Sequence, residues 1–183
     1  MRKLINSTFI TLDGVIENPM WSMPYFDAEF AESQTATADA LLMGRATYDG
    51  FAATWPDRDE SDPTTGAAYF NNVKKYVAST TLTDPSWNNT EVLTGDLVEA
   101  VTTLKATEGG DILQYGFGSV TAQLIDAGLV DEVHLWICPV IEGGENITVT
   151  SALKDFKASF EVIDTKVNAS GLIIANYRPK AAA

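Results

Sequence analysis

Between Asp111 and Ile141 the chain reads as an apolar run, Ile112-Leu113-Gln114-Tyr115, a turn of mostly small residues, Gly116-Phe117-Gly118-Ser119, a helical pattern, and a second apolar run from Val133. That order leaves few folds open, because two apolar runs separated by one helix make a parallel crossover of about minimum length. Val120, Leu124 and Ile125 share a helical face, Gly128 stops the helix, and Asp131 starts the next strand. A strand that ends in Gly-x-Gly and turns straight into a helix aims unpaired backbone N–H groups and the positive end of the helix dipole at one spot, which suits a phosphate. The same turn also serves wherever small residues are needed. Thr121 stands where the dinucleotide fingerprint has its third glycine, and the unit comes late in the chain, so an ordinary Rossmann domain is disfavoured.

The pattern recurs upstream. Ala40-Leu41-Leu42-Met43 is an apolar strand that stops at Gly44, and Arg45 to Phe51 reads as the first turns of a helix. Arg45 and Thr47 bring a cation and a hydroxyl to that helix start, where an anion is already favoured; the competing reading pairs Arg45 with one of the many carboxylates. A third polar terminus follows the strand Lys75 to Ser79, at Ser79-Thr80-Thr81. Leu4 to Thr11 is a buried strand ended by the turn Leu12-Asp13-Gly14, and Glu91-Val92-Leu93 is a further short strand. Helices are expected from Asp27 toward Ala38, around Ala67, Ala68 and Phe70, and behind a capping box at Asp96 and Glu99, the last ending before Gly109-Gly110. Phe160 to Val167 and Leu172 to Tyr177 form a hairpin. The sum is an α/β fold with a mostly parallel twisted sheet of about eight strands, a C-terminal antiparallel hairpin and helices on both faces. Residues 1–179 make one domain and 180–183 a tail. Ligands of such sheets bind beyond the carboxyl ends of the strands, so the junctions at Gly44, Ser79 and Gly116 are expected along one rim.

The segment Asn18 to Phe26 holds large apolar side chains and two prolines and is too irregular for helix or strand. It is either a lid or pocket wall, with Trp21 and Tyr25 as the substrate contacts, or a loop pinned onto the core. A net charge of -13 and a pI near 4.3 argue against nucleic acid or an anionic membrane as partner, and mean that an anionic ligand must be caught by local groups. Cys138 and His134 are the sole residues of their kinds, which excludes a disulfide framework and a Cys/His zinc site; no metal is expected. His134, Trp136 and Cys138 share one strand face, in structural roles. Asn6, Ser7 and Thr8 break the apolar start before a secretion signal can form, and a cytoplasmic address is the simplest expectation.

Taken together, Thr11-Leu12-Asp13-Gly14, Leu42 to Tyr48, Tyr76 to Leu82, and Tyr115 to Ser119 continuing through Gly128 to Glu132 resemble the dihydrofolate reductase-like family. The branch is that of the C-terminal reductase domain of bacterial riboflavin biosynthesis proteins. The resemblance implies a three-layer fold and an NADPH-dependent reductase of a small heterocyclic or carbonyl compound, with NADH left open. Gly44, Arg45 and Thr47 would hold the adenosine-side phosphates, Ser79 and Thr80 the 2′-phosphate region, and Gly116, Phe117, Gly118, Ser119 and Val120 the pyrophosphate. The turn from Thr11 through Gly14 to Val15 would border the nicotinamide. Thr80 stands where relatives often carry an arginine, Phe117 replaces a small residue and narrows the cradle, and the deaminase half of the bifunctional enzyme has no counterpart. Asp13 is the candidate for orienting or protonating substrate, or else caps its turn; Asp27, Glu29 and Glu32 are the alternatives. The resemblance further implies a homodimer, with the Val133 to Ile141 strand and the C-terminal pair as its surface. A genuine dihydrofolate reductase, and a nucleotide-binding or dimer-forming protein without catalysis, are the competing functions.

Overall fold

The computed structural model describes residues 1–181, so Ala182 and Ala183 of the expected tail lie outside the described residues. The strands are β1 (Leu4–Ile10), β2 (Ala38–Gly44), β3 (Lys74–Ala78), β4 (Thr90–Leu93), β5 (Asp111–Tyr115), β6 (Glu132–Ile137), β7 (Phe160–Val167) and β8 (Ile173–Pro179). They form one sheet in the order β4-β3-β2-β5-β1-β6-β8-β7. The first six run parallel, and β8 enters antiparallel between β6 and β7. The antiparallel strand is therefore next to the edge, with β7 outermost.

Helices α1 (Ala28–Thr37), α2 (Arg45–Ala52), α3 (Ala67–Asn72), α4 (Leu97–Ala106), α5 (Ser119–Asp126) and α6 (Val149–Ala152) complete the chain. Along β2, Leu41 and Met43 pack with Tyr48, Val77 and Trp87, while Ala40 and Leu42 pack on the opposite face with Leu104 and Leu124. Both faces are thus covered, which is why this strand is apolar at successive positions. A third cluster of Trp136, Cys138, Leu172 and Ile174 joins α1 to the antiparallel end. His134 and Trp136 face α1 and Val133 the other side, as their alternation requires.

The amino end of the sheet is closed by polar ties. Arg2 pairs with Asp39 and donates from Nε to Gly110 O at 2.7 Å, and Gly110 N donates to Asp39 Oδ2 at 2.9 Å. Lys105 pairs with Asp131, whose carboxylate also accepts Leu4 N–H at 2.7 Å. α1 passes into β2 with no intervening residue, and a side chain at Gly110 would collide with the Thr37 carbonyl at that joint.

Several boundaries differ from expectation. The strand expected over Val133 to Ile141 ends at Ile137, because Pro139 has no N–H for a ladder. Pro19–Tyr25 is a 3₁₀ helix rather than an irregular loop; Asn18 is left-handed at φ 45°, and proline suits the first turn. At α4 the Asp96 carboxylate accepts Glu99 N–H at 2.9 Å, one half of the expected capping box. The short α6, capped by Thr148 and Ser151, was not expected.

Lys75 is fully buried, with Nζ donating to the carbonyls of Asn71, Val73 and Asn88 at 3.1, 2.9 and 3.2 Å and lying 4.3 Å from the Trp87 ring centroid. Burial pushes its pKa down to about 8. Between that value and its ordinary 10.5 the unfolded chain keeps a proton that the folded chain has released, so stability rises with pH there. Burial raises the pKa of Tyr69 and Tyr115, which acts oppositely above about pH 10. Burial also raises the Cys138 thiol from 9.0 to about 11, which opposes the rise from about pH 8.5 upward, so urea unfolding midpoints are expected to rise from about pH 7.5 to about pH 9 and Lys75→Met to abolish that rise.

Candidate active site

Because β3, β2 and β5 are neighbours, with Gly44 opposite Ala78 and Met43 opposite Tyr115, the three polar junctions end side by side. A Cβ on Gly44 would meet Val120 Cγ2 at 3.5 Å, and one on Gly116 would collide with Thr47 Oγ1. The first turn of α5 thus lies over the end of β2, and the first turn of α2 lies against the end of β5. Gly116 also sits at φ +85°, where a side chain is strained whatever the space.

The helices differ in how they begin. Asp27 and Asp96 cap α1 and α4 with their carboxylates, whereas α2 and α5 begin at Gly44 and Gly118 with no side-chain cap. The first N–H groups of α2 and α5 have no intrahelical acceptor and open onto the rim. Gly116 O accepts from Asn6 Nδ2 at 2.8 Å and Thr121 Oγ1 at 3.1 Å. A trans peptide fixed by its oxygen in this way aims the N–H of Phe117 in the opposite direction.

Arg45 satisfies both readings of its position. Its Nε donates to Asp49 at 2.8 and 2.9 Å, and its Nη1 reaches Thr81 Oγ1 at 3.4 Å, beside Ser79 and Thr80. Ser79 Oγ accepts the N–H groups of Thr81 and Leu82 at 3.2 and 3.1 Å, which shapes that loop.

These groups line one cleft of about 1930 Å³ across the carboxyl ends of the strands. Pockets for a drug-sized ligand hold roughly 300–1,000 Å³, so this cleft is larger than one such ligand fills. Gly44, Arg45, Thr47, Ser79, Thr80 and the turn from Gly116 to Val120 all belong to its lining. The lining cations are Arg45 and Arg58, and the carboxylates Glu17, Glu32 and Asp96. A phosphate chain in this cleft is left to amides and hydroxyls with one guanidinium at the rim.

Phe117 belongs to the lining, but its side chain is 8% exposed and packs with Leu124 and Ile125, so the ring joins the core and does not narrow the cradle. Trp21 and Tyr25 pack toward Trp136 and Leu172, outside the lining. The cleft instead receives Met20, Met23 and Phe26, which a helix of three residues per turn places on one face. Their spacing was the available signal.

Thr11, Asp13 and Gly14 are also outside the lining. Thr11 Oγ1 donates to Asp13 and accepts Val15 N–H at 2.8 Å, while Asp13 accepts the N–H groups of Glu142 and Gly143 at 3.3 and 2.8 Å. The Thr11 hydroxyl first, then these amides, hold the Asp13 carboxyl below its usual range. This is the geometry of a turn cap that staples two loops, and a carboxylate so occupied is poorly placed to give up a proton. Asp27 caps α1 and pairs with Lys166 at 3.0 Å, leaving Glu32 as the α1 carboxylate in the lining.

Sequence reasoning missed the aromatic arm of the cleft. Phe51, Trp55, Phe70 and Tyr115 cluster there, with Trp55 stacked on Phe70 at 4.1 Å and Arg58 over Trp55 at 4.7 Å. These residues come from three separate elements, and no local period marks them.

An eight-stranded, mostly parallel sheet that ends in a C-terminal antiparallel pair, with helices on both faces, is the fold of dihydrofolate reductase-like proteins. The chain belongs to the RibD C-terminal domain family, whose sequence profile matches residues 2–173. An uncharacterized protein of Bacillus subtilis, YyaP, is 30% identical over 96% of this chain and 94% of its own length. A putative riboflavin biosynthesis protein of Shewanella sp. PV-4 shares the fold at TM-score 0.71 and 23% identity, covering 97% of this chain and 99% of its own. A diaminohydroxyphosphoribosylaminopyrimidine deaminase/5-amino-6-(5-phosphoribosylamino)uracil reductase of Thermotoga maritima shares it at TM-score 0.68 and 18% identity, over 98% of this chain and 57% of that one.

The close approach of Gly116 to Thr47 is open to a direct test. Gly116→Ala is expected to cost about 1–3 kcal/mol in urea unfolding, and Thr47→Ala in the same chain to recover part of that loss by removing the colliding hydroxyl.

Proposed function

We propose that the protein is a pyridine-nucleotide-dependent reductase of a small heterocyclic or carbonyl compound. The observation that carries this reading is the rim itself, where α2 and α5 begin uncapped at adjacent strand ends beside Arg45. Glycines whose Cβ atoms would meet Val120 and Thr47 leave backbone amides as the surface a diphosphate meets. In this reading Gly44, Arg45 and Thr47 hold the adenosine-side phosphate, Ser79 and Thr80 the 2′ position, and the turn from Gly116 to Val120 the pyrophosphate. NADPH is preferred over NADH because Arg45 is tied to the loop of Ser79 to Thr81, although Thr80 adds only a hydroxyl.

When bound, the nicotinamide supplies a hydride to an electrophilic carbon. The chain's share is to hold and dry the site. Met20, Met23 and Phe26 wall it from water, and Phe51, Trp55 and Tyr115 give a flat ring an apolar seat. Glu32, exposed in the lining, is the acid within reach of an acceptor. Asp13 acts on the site through the wall it staples.

A homodimer belongs to the same reading. Edge strand β7 and its neighbour leave Val162 60%, Val167 68%, Ile163 41% and Ile173 38% exposed, an unusual load of apolar surface for a sheet edge. In this reading the dimer forms through the C-terminal pair, supported by that exposed apolar surface, with β6 interior to the sheet.

Tryptophan-to-nicotinamide energy transfer measured during NADPH and NADH titrations tests the cofactor. A saturable signal with NADPH is expected, weakened by Arg45→Ala about tenfold or more. Absence of a saturable signal with either nucleotide would sink the reductase reading. Sedimentation equilibrium at micromolar concentration is expected to give a dimer, and Val162→Asp with Val167→Asp a monomer.

A further inference from the structure

A chain of polar groups crosses the buried floor of the cleft and has none of the roles assigned above. Trp136 Nε1 donates to Ser7 Oγ at 3.0 Å, and Ser7 Oγ donates to Gln34 Oε1 at 3.1 Å. Gln34 Nε2 meets His134 Nδ1 at 2.7 Å, and His134 Nε2 meets Glu132 Oε2 at 2.9 Å. Ser7, Gln34 and Trp136 line the cleft, and with His134 none is more than 6% exposed.

The two ends dictate the direction of every link. An indole N–H can only donate, and an ionised carboxylate can only accept. Burial works against charge on Glu132, but the bonds from Lys3 and His134 outweigh it and hold the carboxyl below its ordinary range. With Trp136 at one end and Glu132 at the other, neutral His134 must carry its proton on Nε2 and accept from Gln34 on Nδ1. Ser7 then points its hydroxyl hydrogen at Gln34 and turns a lone pair elsewhere.

We propose that His134 is a positioning residue that decides whether Ser7 offers the cleft a lone pair or a hydrogen. A second proton on His134 sets an N–H at Nδ1 against the N–H of Gln34. The amide relieves this by a half turn, so that Oε1 accepts from His134 and Nε2 donates to Ser7. Ser7 Oγ now accepts from both Gln34 and Trp136, and its own hydrogen has the cleft as its remaining direction. In that state the site takes a ligand presenting a carbonyl or ring-nitrogen acceptor. The ligand half of this inference rests on the reductase reading of the cleft; the switch itself does not.

The groups around His134 place the switch on the acid side. Burial lowers its pKa below the ordinary 6.5, opposed by the bond and charge of Glu132 on its own strand and by Asp164 on β7, while Lys3 ahead of β1 assists the lowering. From α1 come the neutral Gln34 and Phe30, and from β8 the neutral Asn176 opposite it in register.

His134 is the one histidine of the chain, so its ring is observed without ambiguity in long-range ¹H–¹⁵N spectra of the whole protein. The expected result is a proton on Nε2 at neutral pH, a second on Nδ1 with a midpoint below 6.5, and side-chain signals of Gln34 and Trp136 that move with that midpoint. Free nicotinamide, a ring bearing a carbonyl, is expected to bind about three- to tenfold tighter below the midpoint. Ser7→Ala is expected to abolish that difference while His134 still titrates. A proton on Nδ1 at neutral pH, or Gln34 signals that stay fixed through the titration, overturns the switch. Nicotinamide affinity indifferent to pH in the unaltered protein overturns the ligand half. Failure of NADPH to bind would leave the ring and amide results untouched, so the two readings fail separately.

Discussion

The contact between the ends of β2 and β5 governs the rest of this molecule. Gly44 lies beneath Val120 of α5, and Gly116 lies against Thr47 of α2, so each strand ends under the helix that follows the other. The arrangement requires that Gly116 lack a side chain, while Gly44 only keeps the approach of α5 close, and it brings two bare helix starts to one place. Polar ties act in the same sense at the other end of the sheet. Arg2 with Asp39 and Lys105 with Asp131 close the amino rim, while the carboxyl rim is left open.

In an acidic protein, attraction for an anion has to come from local groups. At physiological ionic strength charges beyond about 8 Å are largely screened, so the net charge of -13 matters less at the rim than the groups that touch it. Amides and hydroxyls supply attraction without the desolvation penalty of several cations. Arg45 is partly neutralised by Asp49, which lets one guanidinium shape the loop at Thr81 and still line the cleft.

The strands themselves and the rim were legible because they are written locally, whereas the order β4-β3-β2-β5-β1-β6-β8-β7 pairs strands far apart in the chain. Apolar runs of strand length stop at Gly44, Ser79 and Gly116, and small or polar residues follow each stop, with Phe117 the exception. What was not legible depends on which way a side chain turns. Trp21 and Tyr25 drew notice by size, yet the 3₁₀ period sends Met20, Met23 and Phe26 to the cleft and the larger rings to the core. Phe117 sits in the motif but points beneath it. The aromatic arm joins Phe51, Phe70 and Tyr115 from elements far apart in the chain, which no window of sequence contains. The strand face of His134 reads as structural, because its partner Gln34 lies a hundred residues away in the chain.

The joint between α1 and β2 has a mechanical meaning. With no linking residue, and with Gly110 packed close to the Thr37 carbonyl, the helix cannot tilt without dragging the central strand that carries Gly44. Helix α1 and the sheet are thereby joined into a single wall of the cleft. The short coil of Met20 to Phe26 leads into that wall and is held by its own turns and by rings such as Phe26, stacked on Trp136. Being tied by rings instead of by a backbone joint, the coil is the part of the mouth with the least to break if its width is to change.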